Sequence, residues 1–176
     1  PHSAVLIMGT ETTVATGMHK TLLVNQGIDA DRILHQNCHG LAGAIEQDPG
    51  SSQVKALVDQ FMTEAAAKVP QRIDHLFAAL CCTHYAYIQD LIHDRLAQHT
   101  GVNVDIINPN QEMSDSVRVD QASKRFPGVN LKTKVVSRVP LTSQNIDFLT
   151  ARIKGVSPQM AQALQNYALR PNLFDV

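Results

Sequence analysis

The sequence is short of several things, and each shortage narrows what the chain can be. No apolar run approaches the roughly 20 residues that cross a bilayer. Nothing at the N-terminus has the charged-then-apolar layout of a signal peptide. No membrane partner is therefore expected, and a cytoplasmic location is the default. Neither sign of charge dominates: 15 Lys and Arg stand against 16 Asp and Glu, for a net −1. With no basic run to follow a phosphate backbone, no nucleic-acid partner is expected either. Only three cysteines are present, Cys38, Cys81 and Cys82, and two of them are adjacent. An odd count argues against a disulfide framework and fits a reducing compartment. There is no internal repeat and no low-complexity segment, and only Phe126-Pro127-Gly128 reads as a linker. What the chain does have is material for a core: 44% of its 176 residues are hydrophobic, within the normal range for a globular domain. It opens at Pro1 and runs almost at once into an apolar segment, so it is expected to be the remainder of something longer.

The apolar pattern predicts alternating strands and helices. Ala4-Val5-Leu6-Ile7-Met8 is continuous and short, the mark of a strand covered on both faces. One helix is expected through Val14, Met18, Leu22 and Leu23, closing near Gly27. A strand at 32–36 and a short helix at 41–47 follow. The clearest helix places Val54, Leu57, Val58, Phe61, Met62 and Ala65 at helical spacing behind Ser51 and Ser52, with Pro70 beyond its end. Residues 73–81 carry a central strand, and a helix from Thr83 or His84 presents Ile88, Leu91, Ile92 and Leu96 on one face. A strand at 102–107 and a polar helix from about 108 to 126 come next. Beyond that, 131–139 reads as one strand, and 143–153 and 158–169 as two helices. This order predicts an α/β fold: three layers, α/β/α, with a mainly parallel sheet.

In such sheets ligands bind outside the carboxyl ends of the strands. Two of the loops expected there are unusually polar: Thr10 to Thr16 after the first strand, and Cys81 to Tyr85 after the central one. Each is read as opening a helix, whose free N–H groups suit a carboxylate. The hydroxyls of Thr12, Thr13 and Thr83 add donors. Cys82 then has the position of a reactive thiol, with His84 beside it to tune it. The alternative is that Cys82 is a small core hydrophobe ending a strand, that the threonines are helix caps, and that His84 is a capping or surface histidine. Cys81, alternating away from Cys82, is read as core. His35, Cys38 and His39 invite a metal reading, but their spacing matches no common zinc pattern, and no metal is expected. Glu11 is read as exposed or complementing a helix dipole rather than catalytic.

Leu80-Cys81-Cys82-Thr83-His84-Tyr85 resembles the Gly-Cys-Thr-His-Tyr-Pro segment of the glutamate racemase family. Thr10-Glu11-Thr12-Thr13-Val14-Ala15-Thr16-Gly17 resembles that family's Thr-x-Gly-Thr-Val-x-Ser-Gly segment, at the expected distance upstream. Residues 106–114 resemble the point where the family chain leaves its second lobe. The resemblance covers 4 to about 125. It implies an isomerase that needs no pyridoxal phosphate or other cofactor. Two pseudo-symmetric α/β lobes would enclose an acidic amino acid and pass its α-proton between two cysteines. L-glutamate would become D-glutamate, a precursor of cell-wall peptidoglycan. Residues 1–107 would be the lobe carrying the Cys-Thr-His-Tyr motif, and 108–176 the segment that returns to complete the other lobe. By the same resemblance Cys82 and His84 are catalytic, Thr13, Thr83, Thr12 and Thr16 bind substrate, and a homodimer is the expected assembly.

The departures from the family pattern are specific. Cys81 replaces Gly, Ala86 replaces Pro, and His19 stands where a tyrosine is expected. The family's second cysteine precedes Asn-Thr, and Cys38-His39-Gly40 does not match it. The chain is therefore expected to supply one thiol where two are required, and to be a poor racemase alone. Alternatives are an aspartate or hydantoin racemase, a single-cysteine relative of the arylmalonate decarboxylase kind, and an amino-acid-binding module without turnover.

Overall fold

The computed structural model describes residues 2–116, 130 and 132–174. The chain divides into two compact units, Pro1–Arg118 and Val119–Val176. The expected linker at 126–128 lies outside the described residues.

The first unit is α/β, as the alternating pattern predicts. Its strands are β1 (Ser3–Gly9), β2 (Ile33–Asn37), β3 (His75–Leu80) and β4 (Asn103–Ile107), all parallel, in the order β2-β1-β3-β4. Helices flank this sheet, giving the three layers. One face carries the main core. Ala4, Leu6, Met8, Leu76, Ala78 and Leu80 meet side chains of α3 (Leu41–Gln47), α4 (Ser52–Ala66) and α5 (Gln89–Thr100). Helix α4 buries Val54, Val58, Phe61, Met62 and Ala65, the stripe its spacing predicts, and Ser51 caps it by accepting from the Val54 N–H. Each large side chain buried in this way contributes about 1.5–3 kcal/mol.

The other face is thinner. Val5, Ile7, Ile33 and Ala79 pack with Leu23 and Ile28. An open apolar groove of about 610 Å³ remains there, lined in part by Phe77, Cys81, Ile107 and Leu22. The single helix expected through Val14 and Leu23 is two helices, α1 (Glu11–Thr16) and α2 (Met18–Asn25). They break at Gly17, which has φ +59° and donates its N–H to the Val14 carbonyl. Glycine adopts this left-handed conformation without a Cβ penalty, and the chain uses it to turn.

A second expectation is also corrected. No α-helix begins at Thr83 or His84. Residues Thr83–Ile88 form a 3₁₀ turn, and α5 starts at Gln89. Tyr85 and Ile88, three apart, are the two buried side chains of that turn, which matches a period of three residues. Helix α6 (Pro109–Ser116) follows β4 and belongs to the first unit; the rest of the expected helix to 126 lies outside the described residues.

In the second unit, β5 (Val136–Ser137) and β6 (Ala168–Leu169) are a short parallel pair. Between them in sequence lie α7 (Ser143–Ile153), capped by Thr142, and α8 (Pro158–Gln165), capped by Ser157 with Pro158 at its first turn. The described part of the expected 131–139 strand pairs only at two residues, and the last helix ends four residues early because 168–169 join β6. Among the described residues no helix is long and apolar enough to cross a membrane.

Candidate active site at the carboxyl edge of the sheet

The connection from β1 runs through α1 to α2, whose Leu23 packs on the thin face, whereas that from β3 leads through the 3₁₀ turn to α5 on the core face. Neighbouring strands whose connections leave to opposite sides open a crevice between their carboxyl ends. Here that switch point lies between Gly9-Thr10 and Leu80-Cys81-Cys82. The edge is well fixed: the Cys81 N–H donates to the Met8 carbonyl at 2.8 Å, and the Cys38 N–H to the Gly9 carbonyl at 2.9 Å.

Cys82 is partly buried and extended, with φ −143° and ψ 132°. Its sulfur lies 3.7 Å from Nδ1 of His84, so the thiol and the imidazole form one hydrogen-bonded pair. Because a 3₁₀ turn of six residues follows, the expected support from an α-helix dipole is absent, and His84 is the partner that remains. Tyr85 is fully buried and its hydroxyl donates to the Cys38 carbonyl at 3.4 Å, anchoring this turn to the end of β2.

The threonine loop is organised from within. Thr10 caps α1, its hydroxyl oxygen accepting from the Thr13 N–H at 3.4 Å, and the two hydroxyls sit 3.1 Å apart. Thr16 donates its hydroxyl to the Thr13 carbonyl at 3.0 Å. Thr10 and Thr16 thus have structural partners, as the capping alternative anticipates, while Thr12 and Thr83 are exposed. Gly9 makes the close packing here feasible. A Cβ on it would meet Thr13 Cγ2 at 2.7 Å and Thr13 Cβ at 2.8 Å.

The other two thiols are placed differently. Cys38 is buried in the main core, and burial pushes its thiol up to about 12. Cys81 turns to the thin face against Ile7 and Ala79, where burial also raises its thiol. Cys82, half-buried, stands at the carboxyl edge between β1 and β3 and packs against the rim of the main core. The His35, Cys38 and His39 cluster is taken apart by strand alternation. His35 lies toward the thin face, Cys38 lies in the core, and His39 lies on the rim. Among the described residues no group of three His, Cys, Asp or Glu side chains is placed to hold a metal.

One pair escapes sequence reasoning. His39 Nδ1 lies 3.4 Å from Glu11 Oε2, joining the loop after β2 to the loop after β1. Their separation of 28 positions carries no motif, so only the parallel β1–β2 register reveals it. The carboxyl edge thus carries, in strand order, an imidazole–carboxylate pair after β2, hydroxyls after β1 and a thiol–imidazole pair after β3. Such a set can move protons and hold a charged small molecule.

No protein-family model matches the chain, and no curated protein matches it.

Proposed function

We propose that this chain is the thiol-bearing portion of a cofactor-independent racemase acting on an acidic amino acid, glutamate by the resemblance of its motifs. The observation that carries the reading is the Cys82–His84 pair, 3.7 Å apart, beside the threonine loop at the switch point of the sheet. In the proposed reaction the Cys82 thiolate removes the α-proton, with His84 as its proton partner. Thr12, Thr13 and Thr83 are the proposed donors to the substrate's charged groups, Thr12 and Thr83 lying exposed, while Thr16 fixes the loop through its hydroxyl bond to the Thr13 carbonyl. Removal of an α-proton leaves charge on the substrate carboxylate, and donors held at that point lower the barrier. A cytoplasmic setting and a homodimer belong to the same proposal, since reduced thiols are what it needs.

The test is racemisation of L- and D-glutamate and aspartate, with Cys82→Ser as the comparison. The chain, supplying one thiol, is expected to racemise weakly, and Cys82→Ser to lower that activity at least about a hundredfold, the scale of a removed acid–base group. Equal activity in both contradicts it.

A second reading has its own support. Cys38 is buried and Cys81 faces the groove, leaving one thiol at the crevice. That favours a single-cysteine relative that protonates one face of an activated acid, for instance after decarboxylation. Product of a single handedness, with no racemisation, would favour it over the first.

A further inference from the structure

Inverting a carbon stereocentre through a planar carbanion needs a proton-transfer group on each face. If the racemase reading holds, the thiols cannot supply both here. The Cys38 sulfur sits in the core and donates to the Gln36 carbonyl at 3.8 Å, and Cys81 lies on the far side of the sheet. The second group must be sought among other side chains at the carboxyl edge.

We propose that His39, oriented by Glu11, is that second group, serving the face opposite Cys82; the inference rests on the racemase reading above. Strand order places it well. β2 and β3 flank β1, so His39 and Cys82 rise from either side of the Thr10 loop. Adjacent strands are about 4.8 Å apart, which separates the ends of β2 and β3 by roughly 10 Å. A carbon attacked from both sides has each reacting atom about 3–3.5 Å away, so the two groups must stand about 7 Å apart. Glu11 is the first residue of α1 at the end of β1, so its contact with His39 draws that side chain toward β1 and shortens the gap.

The Glu11 contact adds a reason. A carboxylate 3.4 Å from Nδ1 draws the imidazole toward the start of α1 at the end of β1, and a carboxylate that holds a histidine in place serves proton transfer in other enzymes. As a source of stability the pair counts for little. His39 and Glu11 side chains are 78% and 72% exposed, and exposed ion pairs contribute about 0–1 kcal/mol. The loop is also anchored at both sides of His39: Cys38 by its ladder bond to Gly9, and Gly40 by a left-handed turn at φ +78° that starts α3. The end of β2 is further tied to the turn carrying Cys82 by the Tyr85 hydroxyl.

The step balances. The Cys82 thiolate takes the α-proton and becomes a thiol, while the C–H electron pair moves into the carboxylate as an enediolate. The His39 imidazolium gives its proton to the other face as that pair returns to the α-carbon, and is left neutral. The reverse turnover exchanges the roles and restores both groups.

The experiment follows deuterium at the α-carbon of each glutamate and aspartate enantiomer in D₂O, together with racemisation, for the full chain and for His39→Asn, Glu11→Gln and Cys82→Ser. Far-UV circular dichroism and thermal unfolding check that the variants fold; His39 and Glu11 are exposed, and at half-buried Cys82 serine changes one atom. The expectation is that His39→Asn loses racemisation about a hundredfold or more yet still exchanges the α-proton of one enantiomer. Cys82→Ser should keep exchange only for the other enantiomer. Glu11→Gln should lower racemisation less and change its pH profile. Unchanged racemisation in His39→Asn, or an equal loss of exchange for both enantiomers in it, overturns the assignment of His39 while leaving that of Cys82 intact. A wild type that exchanges neither acid overturns both readings together.

Discussion

The Tyr85 hydroxyl donates to the Cys38 carbonyl at 3.4 Å, across 47 residues of sequence, and ties the turn that carries Cys82 to the end of β2. Because Tyr85 is fully buried, this contact joins core packing to the geometry of the crevice. Tyr85→Phe should cost about 1 kcal/mol, the usual net value of one hydrogen bond. Tyr85→Ala should cost about 3–5 kcal/mol, as large-to-small aromatic truncations do. Urea unfolding measures both, and a Tyr85→Ala cost under 1 kcal/mol would show that the ring is not packed as described.

The three thiols should react in a set order. Burial holds Cys38 and Cys81 protonated, Cys38 up to about 12. Cys82 is partly exposed beside His84. Brief iodoacetamide treatment of the native protein near neutral pH, read by peptide mass spectrometry, should label Cys82 first and leave Cys38 unmodified until unfolding. Labelling of Cys38 as fast as Cys82 would contradict this placement.

Gly9→Ala should disturb the threonine loop more than the sheet. The added Cβ would come within 2.7–2.8 Å of Thr13 side-chain carbons, so Thr13 must shift. Overpacking of this kind costs about 1–3 kcal/mol, and if Thr13 contacts substrate the Michaelis constant should rise as well. The double variant Gly9→Ala, Thr13→Ser removes one clashing methyl and should recover part of the stability. No recovery would locate the strain elsewhere.

Acid sensitivity has a definite source in His35. Burial first, then the nearby charges of Lys20, His19 and Lys68, lower its pKa below the ordinary 6.5. The unfolded chain therefore takes up this proton at higher pH than the fold does. The contribution of His35 is fully present above about pH 6.5 and is lost as pH falls from there through the depressed folded value. His35→Gln should flatten stability against pH just below 6.5, as measured by denaturant unfolding at several pH values. An unchanged slope would contradict the assignment.

Much of the fold was legible because its signals are local. The runs at 4–8 and 76–80 are too short and too continuous for anything but buried strands, and the stripe from Val54 to Ala65 fits a helix period of 3.6. The breaks were not legible in the same way. Gly17 sits inside a pattern that continues through it, and only its left-handed backbone divides α1 from α2. Tyr85 and Ile88 satisfy a three-residue period as well as a helical one, which hid the 3₁₀ turn. In the site, Cys82, His84 and the threonine loop stood out because their residue types cluster in sequence. The Glu11–His39 contact did not, since it is created by strand pairing. Its two members read separately as a dipole-complementing carboxylate and part of a weak metal pattern.

The central claim is that Cys82 exchanges a proton with the α-carbon of an acidic amino acid. Deuterium incorporation at that carbon, followed by proton NMR on glutamate in D₂O with wild type and Cys82→Ser side by side, tests it most directly. The account predicts loss of the α-proton signal with the wild type, for both enantiomers, and loss for at most one enantiomer with Cys82→Ser. Exchange that proceeds equally in both proteins, or in neither, would contradict it.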